Sequence, residues 1–387
     1  MTRQVFLALA ASTAISVMAA PPTVVVKKAG AERTVVSIET SGGNAAAQAF
    51  NVSLKRNLSL TGYFQVGPNG QIRVTGTPGA GVVATGAGKQ ISSQATFADA
   101  KAARMAARQF TDAIVQAYTG KKGFACDRIA FINRMGADNA ELYTCYPDGY
   151  DIRQLTSDRR AAVGPRWAPS KEEIYYTGFL QRTPLVYRID MSGRRNLLAP
   201  FKGLATGAAV SPNGADCALI LSHQGNPELY VLNFATKRVK RMTKTQNASE
   251  ASPCWSPDGR QIAYVSDTTR HPQIYLLDVA TKQSRRITNA GGENTNPDWS
   301  PDGRLAWATK RGGLNYVAVM DPSKGESTAR LVTDGGNWEH PSWAGDGRHL
   351  IASRDKALFI IDTDPEGDKP VQIFRNQGNW MNPAWAR

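Results

Sequence analysis

Pro253-Cys254-Trp255-Ser256-Pro257-Asp258-Gly259-Arg260 recurs as Pro297-Asp298-Trp299-Ser300-Pro301-Asp302-Gly303-Arg304 and again as Pro341-Ser342-Trp343-Ala344-Gly345-Asp346-Gly347-Arg348. Looser copies stand at 165–169 and 208–214, and a truncated one at 383–387. With the aromatic position as marker the series is Trp167, Val210, Trp255, Trp299, Trp343 and Trp385, at intervals of 43, 45, 44, 44 and 42 residues. A fixed period of that size decides architecture before any single residue does. After each marker, Ser-Pro-Asp-Gly suits a tight turn: proline presets φ, Asp tolerates the next position and Gly accepts positive φ. Short apolar runs follow, such as Ile262-Ala263-Tyr264-Val265-Ser266 and Ile274-Tyr275-Leu276-Leu277-Asp278, and a third closes the unit at Arg286-Ile287-Thr288. Four short strands per repeat, joined by tight turns, is the grammar of a β-propeller blade. A helical solenoid would carry a 3.6-residue period, which is absent.

Residues 126–387 hold six such units of about 44 residues. The first unit, 128–156, lacks a leading Pro-x-Trp strand, and the chain end supplies one in Asn382-Pro383-Ala384-Trp385-Ala386. The last strand of the chain is therefore expected to complete the first blade and close the ring.

Residues 21–120 differ in kind. Val35-Val36-Ser37-Ile38 is a strand candidate, 45–60 places Ala47, Phe50, Leu54 and Leu58 on one helical face, and 97–118 is a long helix ended by Gly120. The sequence predicts a small α+β domain, a linker at 121–125 and an all-β six-bladed propeller at 126–387. The glycines of 79–88 match neither phosphate-loop nor dinucleotide templates and predict a mobile hairpin. Residues 1–20, with Arg3, an apolar run over 5–18 and small residues after it, predict a signal peptide cleaved after Ala19 or Ala20.

Export changes how the four cysteines are read. Their spacing offers no metal site. Cys126 and Cys145 flank two strand candidates whose antiparallel pairing makes them a disulfide candidate, worth about 3 kcal/mol for such a loop; the alternative is two half-buried thiols. Catalysis finds little footing. No Gly-x-Ser-x-Gly elbow occurs, His223, His271, His340 and His349 lack paired ligand spacing, and the recurrent Asp residues belong to turns. No enzyme, metal or cofactor is expected. The formal charge of +14 falls largely in Arg194-Arg195, 237–241 and Arg285-Arg286, beside the last strand of successive units. Charge at an outer sheet edge discourages edge-to-edge pairing, so no nucleic-acid partner is inferred from it.

From the signal peptide through the small α+β domain, the helix end Phe110-Thr111-Asp112-Ala113-Ile114-Val115-Gln116-Ala117-Tyr118-Thr119-Gly120-Lys121-Lys122-Gly123, the strand Arg128-Ile129-Ala130-Phe131-Ile132 and the six repeats, the order resembles the TolB family of the Tol-Pal envelope system. The resemblance implies a monomeric, non-enzymatic periplasmic scaffold, associated with the envelope peripherally at most. It would bind a Pal-like peptidoglycan-associated lipoprotein on a propeller face near the channel mouth and a TolA-like inner-membrane protein through its mature N-terminal segment, supporting outer-membrane integrity and constriction at division.

In that segment Val24, Val25 and Val26 could add as a strand to a partner's sheet edge, or the segment could stay disordered or dock on its own chain. On the propeller face, Gly336-Asn337-Trp338-Glu339-His340-Pro341 and Gly378-Asn379-Trp380-Met381-Asn382-Pro383 share a sub-motif. Trp338 and Trp380 have the profile of interface anchors, with Glu339, His340, Met381, Asn382, Glu250, Asn294 and Asn296 around them; the other reading packs both indoles between blades. An exported propeller that binds a glycan or another small ligand is the alternative from a different functional class.

Overall fold

The computed structural model describes residues 33–181, 183–222, 225–374 and 378–387, and the backbone of 23–24. The expected signal peptide and its cleavage site, and Val25 and Val26, lie outside these residues.

Helix α1 (Ala45–Leu60) begins where the Asn44 side chain accepts the Ala47 amide at 2.7 Å. Helix α2 (Ala100–Thr119) is capped in the same way by Asp99 on Ala102, also at 2.7 Å, and ends on Gly120 at φ 69°. A side-chain oxygen that takes an otherwise orphaned N–H fixes a helix start, which is why α2 opens at residue 100 and not at 97. Both helices pack on a five-stranded mixed sheet in the order Phe64–Val66, Thr34–Thr40, Ile72–Thr77, Gly81–Gly86, Lys89–Ser93. Phe50, Leu54 and Leu58 of α1 and Ala103, Phe110 and Ile114 of α2 meet Val36, Ile72, Val74 and Val82 of the sheet. The glycine-rich stretch forms the expected hairpin, Gly81–Gly86 with Lys89–Ser93, and Gly81–Gly86 is paired on its other side with Ile72–Thr77.

Six four-stranded antiparallel blades follow. Blade 2 runs Ala162–Trp167, Glu173–Gly178, Leu185–Asp190, Arg195–Leu197, and blades 3 to 6 repeat the order from Ala205–Val210, Glu250–Trp255, Asn294–Trp299 and Glu339–Trp343. Blade 1 is assembled from both ends: Trp380–Trp385 pairs with Ile129–Arg134, which pairs with Ala140–Cys145. Where a serine follows the marker, as at Ser211, Ser256 and Ser300, it organises the turn. Ser256 Oγ donates to Asp258 at 2.6 Å and accepts the Gln261 amide at 2.9 Å, while Gly259 sits at φ 70°. The marker tryptophans hold neighbouring blades together, with the Nε1 of Trp167, Trp255 and Trp343 donating to the carbonyls of Ala384, Ala209 and Asp298 at 3.0–3.1 Å.

The disulfide expectation is corrected. All four cysteines are free, and the strand register sets Cys145 opposite Ile129, three residues past Cys126. Burial pushes the Cys126 and Cys145 thiols well above their ordinary range.

The small domain docks on blades 1 and 6 at the face that carries the Ser-Pro-Asp-Gly turns. Arg104 and Arg108 of α2 pair with Asp148 and Asp151, Asp112 accepts the Ala125 and Cys126 amides at 2.8 and 3.0 Å, and Arg348 stacks on Tyr63. The opposite face, where each blade's first strand begins, is left clear of it. Thr23–Val24 runs parallel to Arg330–Leu331 as a fifth strand on blade 5.

Candidate functional site

Each blade's innermost strand carries one residue with positive φ, always three positions before the marker: Gly164, Gly207, Ser252, Asn296, His340 and Asn382, at φ 57°, 65°, 50°, 53°, 52° and 48°. All six sit in a break of register with the next strand. A bulge of this kind bends the strand and re-aims a side chain. Repeated six times, it builds a ring around the channel mouth. Glycine, and among other residues especially Asn and His, tolerate the left-handed region, which accounts for five of the six residues, all but Ser252.

The ring is cross-linked between blades. Asn382 Nδ2 lies 3.0 Å from His340 Nε2, its Oδ1 accepts the Gly164 amide at 3.4 Å, and Asn296 Nδ2 donates to Ser252 Oγ at 3.4 Å. Below it opens a chamber of about 230 Å³ bounded by these residues, Thr177, Thr206, four prolines and Arg166. Burial, helped by the charge of Arg166, pushes His340 down to about 4, so the imidazole is neutral at pH 7. Arg166 closes the chamber at mid-channel. Its Nη1 reaches across from blade 2 to Asp298 Oδ1 of blade 5 at 2.8 Å, and Arg387 Nη1 meets the other oxygen at 2.8 Å. On the far side of this bar lies a second chamber of about 300 Å³, lined by Trp167, Trp255, Trp299 and Trp385.

Of the residues singled out from sequence, His340, Asn296 and Asn382 come together at the mouth. Glu339 stands exposed at its rim, and Met381 is half-buried against the blade core. Trp338, expected as an anchor, has no solvent exposure: it packs edge-on to Phe359 at 5.3 Å between centroids, beneath Arg354. Trp380 is wedged among Phe131, Tyr143 and Phe374. Both indoles therefore fill blades, because the polar loop sequence that suggested an interface turns back into apolar layers. Glu250 and Asn294 are buried too. Glu250 accepts from Ser266 at 3.0 Å, and Asn294 bridges Gln273 and Trp307 at 2.8 Å each. Gly164, Gly207, Ser252, Arg166, Asp298 and Arg387 were missed, although counting back three residues from each marker would have found the first three.

Among the described residues no cluster of three His, Cys, Asp or Glu side chains could hold a metal, and no helix is long and apolar enough to cross a membrane.

Residues 115–387 match the family model described as the TolB beta propeller domain. The Tol-Pal system protein TolB of Gluconobacter oxydans (strain 621H) is 29% identical over 165 residues, 42% of this chain and 36% of that protein. The aligned region thus spans about a third of that relative's length. Among solved structures, TolB from Acinetobacter baumannii aligns over 93% of this chain and 98% of its own with a TM-score of 0.78 at 24% identity. A putative TolB from Agrobacterium tumefaciens covers 67% of this chain and 92% of its own, with a TM-score of 0.54 at 19% identity. At such identities the two structures speak to fold alone.

Proposed function

Because the chain belongs to the TolB β-propeller family, we propose that it is a non-enzymatic, periplasmic component of a Tol-Pal system. It holds a Pal-like lipoprotein at the channel mouth and a TolA-like inner-membrane protein through its mature N-terminal segment. In this role it supports outer-membrane integrity and constriction at division.

The observation that carries this reading is the mouth itself. Six left-handed positions present a polar ring on the face that the α+β domain leaves uncovered. A concave centre with fixed polar groups and a wide surrounding face suits a protein partner. Thr23–Val24 pairs with Arg330–Leu331 of its own blade 5, the arrangement of a segment docked on its own chain; strand addition to a partner's sheet would draw on the same short strand. The Asp residues of the repeat turns are engaged in their own turns, as Asp258 is with Ser256 and the Arg260 amide, which supports a scaffold over a hydrolase.

The test is titration calorimetry of the full chain with the soluble domain of the lipoprotein from the same organism. Replacing His340 and Asn382 together by Gly removes both side chains yet keeps a residue that accepts positive φ. Affinity is expected to fall at least about tenfold, the order of a lost central contact. Unchanged affinity would take the mouth out of the interface, and a saccharide in place of the lipoprotein among co-purified envelope components would favour the ligand-binding alternative.

A further inference from the structure

We propose that the mouth chamber is a carboxylate pocket: an Asp or Glu side chain on a loop of the lipoprotein partner passes the ring of Asn296, His340 and Asn382 and meets the guanidinium of Arg166. This rests on the reading above and names the chemistry that the mouth selects.

The charge balance at mid-channel carries it. Asp298, 1% exposed, is the single carboxylate between two guanidinia, and it also accepts the Trp343 amide at 2.8 Å. One carboxylate cannot neutralise two arginines, whose side chains keep 24% and 30% of their exposure. Arg166 binds Asp298 through Nη1 and touches the Pro297 carbonyl through Nη2 at 3.4 Å, and its Nε makes no hydrogen bond to a described residue. Of the residues bounding the mouth chamber, Arg166 and His340 alone can ionise, and His340 is neutral at pH 7. The floor is therefore a cation set among neutral walls. A narrow low-dielectric cleft of one charge sign focuses its field on what enters, and a charge-assisted Arg–carboxylate bond is about twice as strong as a neutral one.

Two features narrow the occupant. A cationic floor repels a metal ion or a partner's lysine. At about 230 Å³ the chamber falls below the ~300 Å³ where small-molecule sites begin, so it suits one inserted side chain. Glu339, at the rim with its carboxylate 3.9 Å from His340 Nδ1, is half-exposed and screened by salt.

Two arms test the proposal on the full chain. In the first, the soluble lipoprotein domain is titrated against wild type, Arg166→Gln and Arg166→Lys. Gln removes the charge but can still donate to Asp298. Affinity should fall about tenfold or more in R166Q, as for a buried partner charge, and recover in part in R166K, with the wild-type affinity weakening as salt rises. In the second, sodium propionate, which carries the end of a Glu side chain, is titrated into wild type while the Arg Nε–Hε resonances are followed by NMR. A saturable shift of the signal that disappears in R166Q is expected, against none with sodium chloride at equal ionic strength. An R166Q chain that melts like wild type and binds the lipoprotein as tightly overturns the proposal, as does propionate acting no differently from chloride. If the lipoprotein fails to bind wild type, the functional reading falls, and the propionate arm alone decides whether the chamber selects carboxylates.

Discussion

Arg108 and Asp148 form a two-point ion pair with no solvent exposure on either side chain: Nε and Nη2 each lie 2.9 Å from a carboxylate oxygen. Tyr146 lies under the guanidinium at 3.9 Å, and Ser53 and Asn57 of α1 donate to the same carboxylate at 2.8 and 3.2 Å. The pair joins both helices of the small domain to blade 1. Breaking a buried pair from one side leaves an uncompensated charge and costs about 3–5 kcal/mol. Arg108→Met should therefore lower unfolding stability by that order and raise protease sensitivity between the domains. Adding Asp148→Asn should restore part of the loss by removing the stranded charge. Denaturant melts of the three proteins check this; equal midpoints for R108M and wild type would mean that the junction is held elsewhere.

Ring closure gives a second expectation. Trp380–Trp385 is hydrogen-bonded to Ile129–Arg134, and Ala386 donates to the Arg128 carbonyl at 2.8 Å. Trp385 is buried against Phe124, with ring centroids 5.2 Å apart. A chain stopped after residue 379 would remove the innermost strand of blade 1, expose the edge of Ile129–Arg134 and lose a buried indole, a loss of roughly 3–5 kcal/mol for the indole alone. Its melting temperature should fall by many degrees. An unchanged melt would show that the ring holds without the joining strand.

What the sequence made legible was local or periodic. The Ser-Pro-Asp-Gly turn depends on four adjacent residues, so the blade count and the strand borrowed from the chain end could be read directly. The mouth was only partly legible because its geometry depends on register. Nothing in Asn296 or His340 alone announces a left-handed bulge, and the contact between Arg166 and Asp298 joins residues 132 positions apart. Trp338 misled because its neighbours are polar while the space its ring enters, beside Val317 and Val332, belongs to other strands. Cys126 misled by three residues of register.

The tryptophan bridges between blades make a differential prediction. Trp255 Nε1 donates to Ala209 O at 3.0 Å, whereas the buried Nε1 of Trp299 has no partner. Replacement by Phe removes a similar ring area at both sites. Only at 255 does it also remove a hydrogen bond, at a cost of about 0.5–1.5 kcal/mol. Trp255→Phe should thus destabilise more than Trp299→Phe. Equal losses in chemical denaturation would mean that the indoles act through packing alone.

Glu250 gives the pH dependence. Burial and the neighbouring Glu228 carboxylate, with Asp267 beyond, raise Glu250 to about 7, against the lowering effect of hydrogen bonds from Ser266 and Thr245. Glu228 itself is paired with Arg241 at 2.8 Å. The native state therefore holds a proton on Glu250 that the unfolded chain releases near 4.5. Where the native state binds more protons, stability falls as pH rises. This group's contribution should be greatest below pH 4.5 and decline through the window from 4.5 to 7, by an amount on the order of 3 kcal/mol at about 1.4 kcal/mol per unit. Glu250→Gln mimics the protonated form and should flatten that part of the profile, leaving the variant more stable than wild type at pH 8 and close to it at pH 4. Denaturant midpoints of both proteins across that range check the sign: if the two curves stay parallel, Glu250 is ionised throughout and its burial is relieved by groups other than the proton.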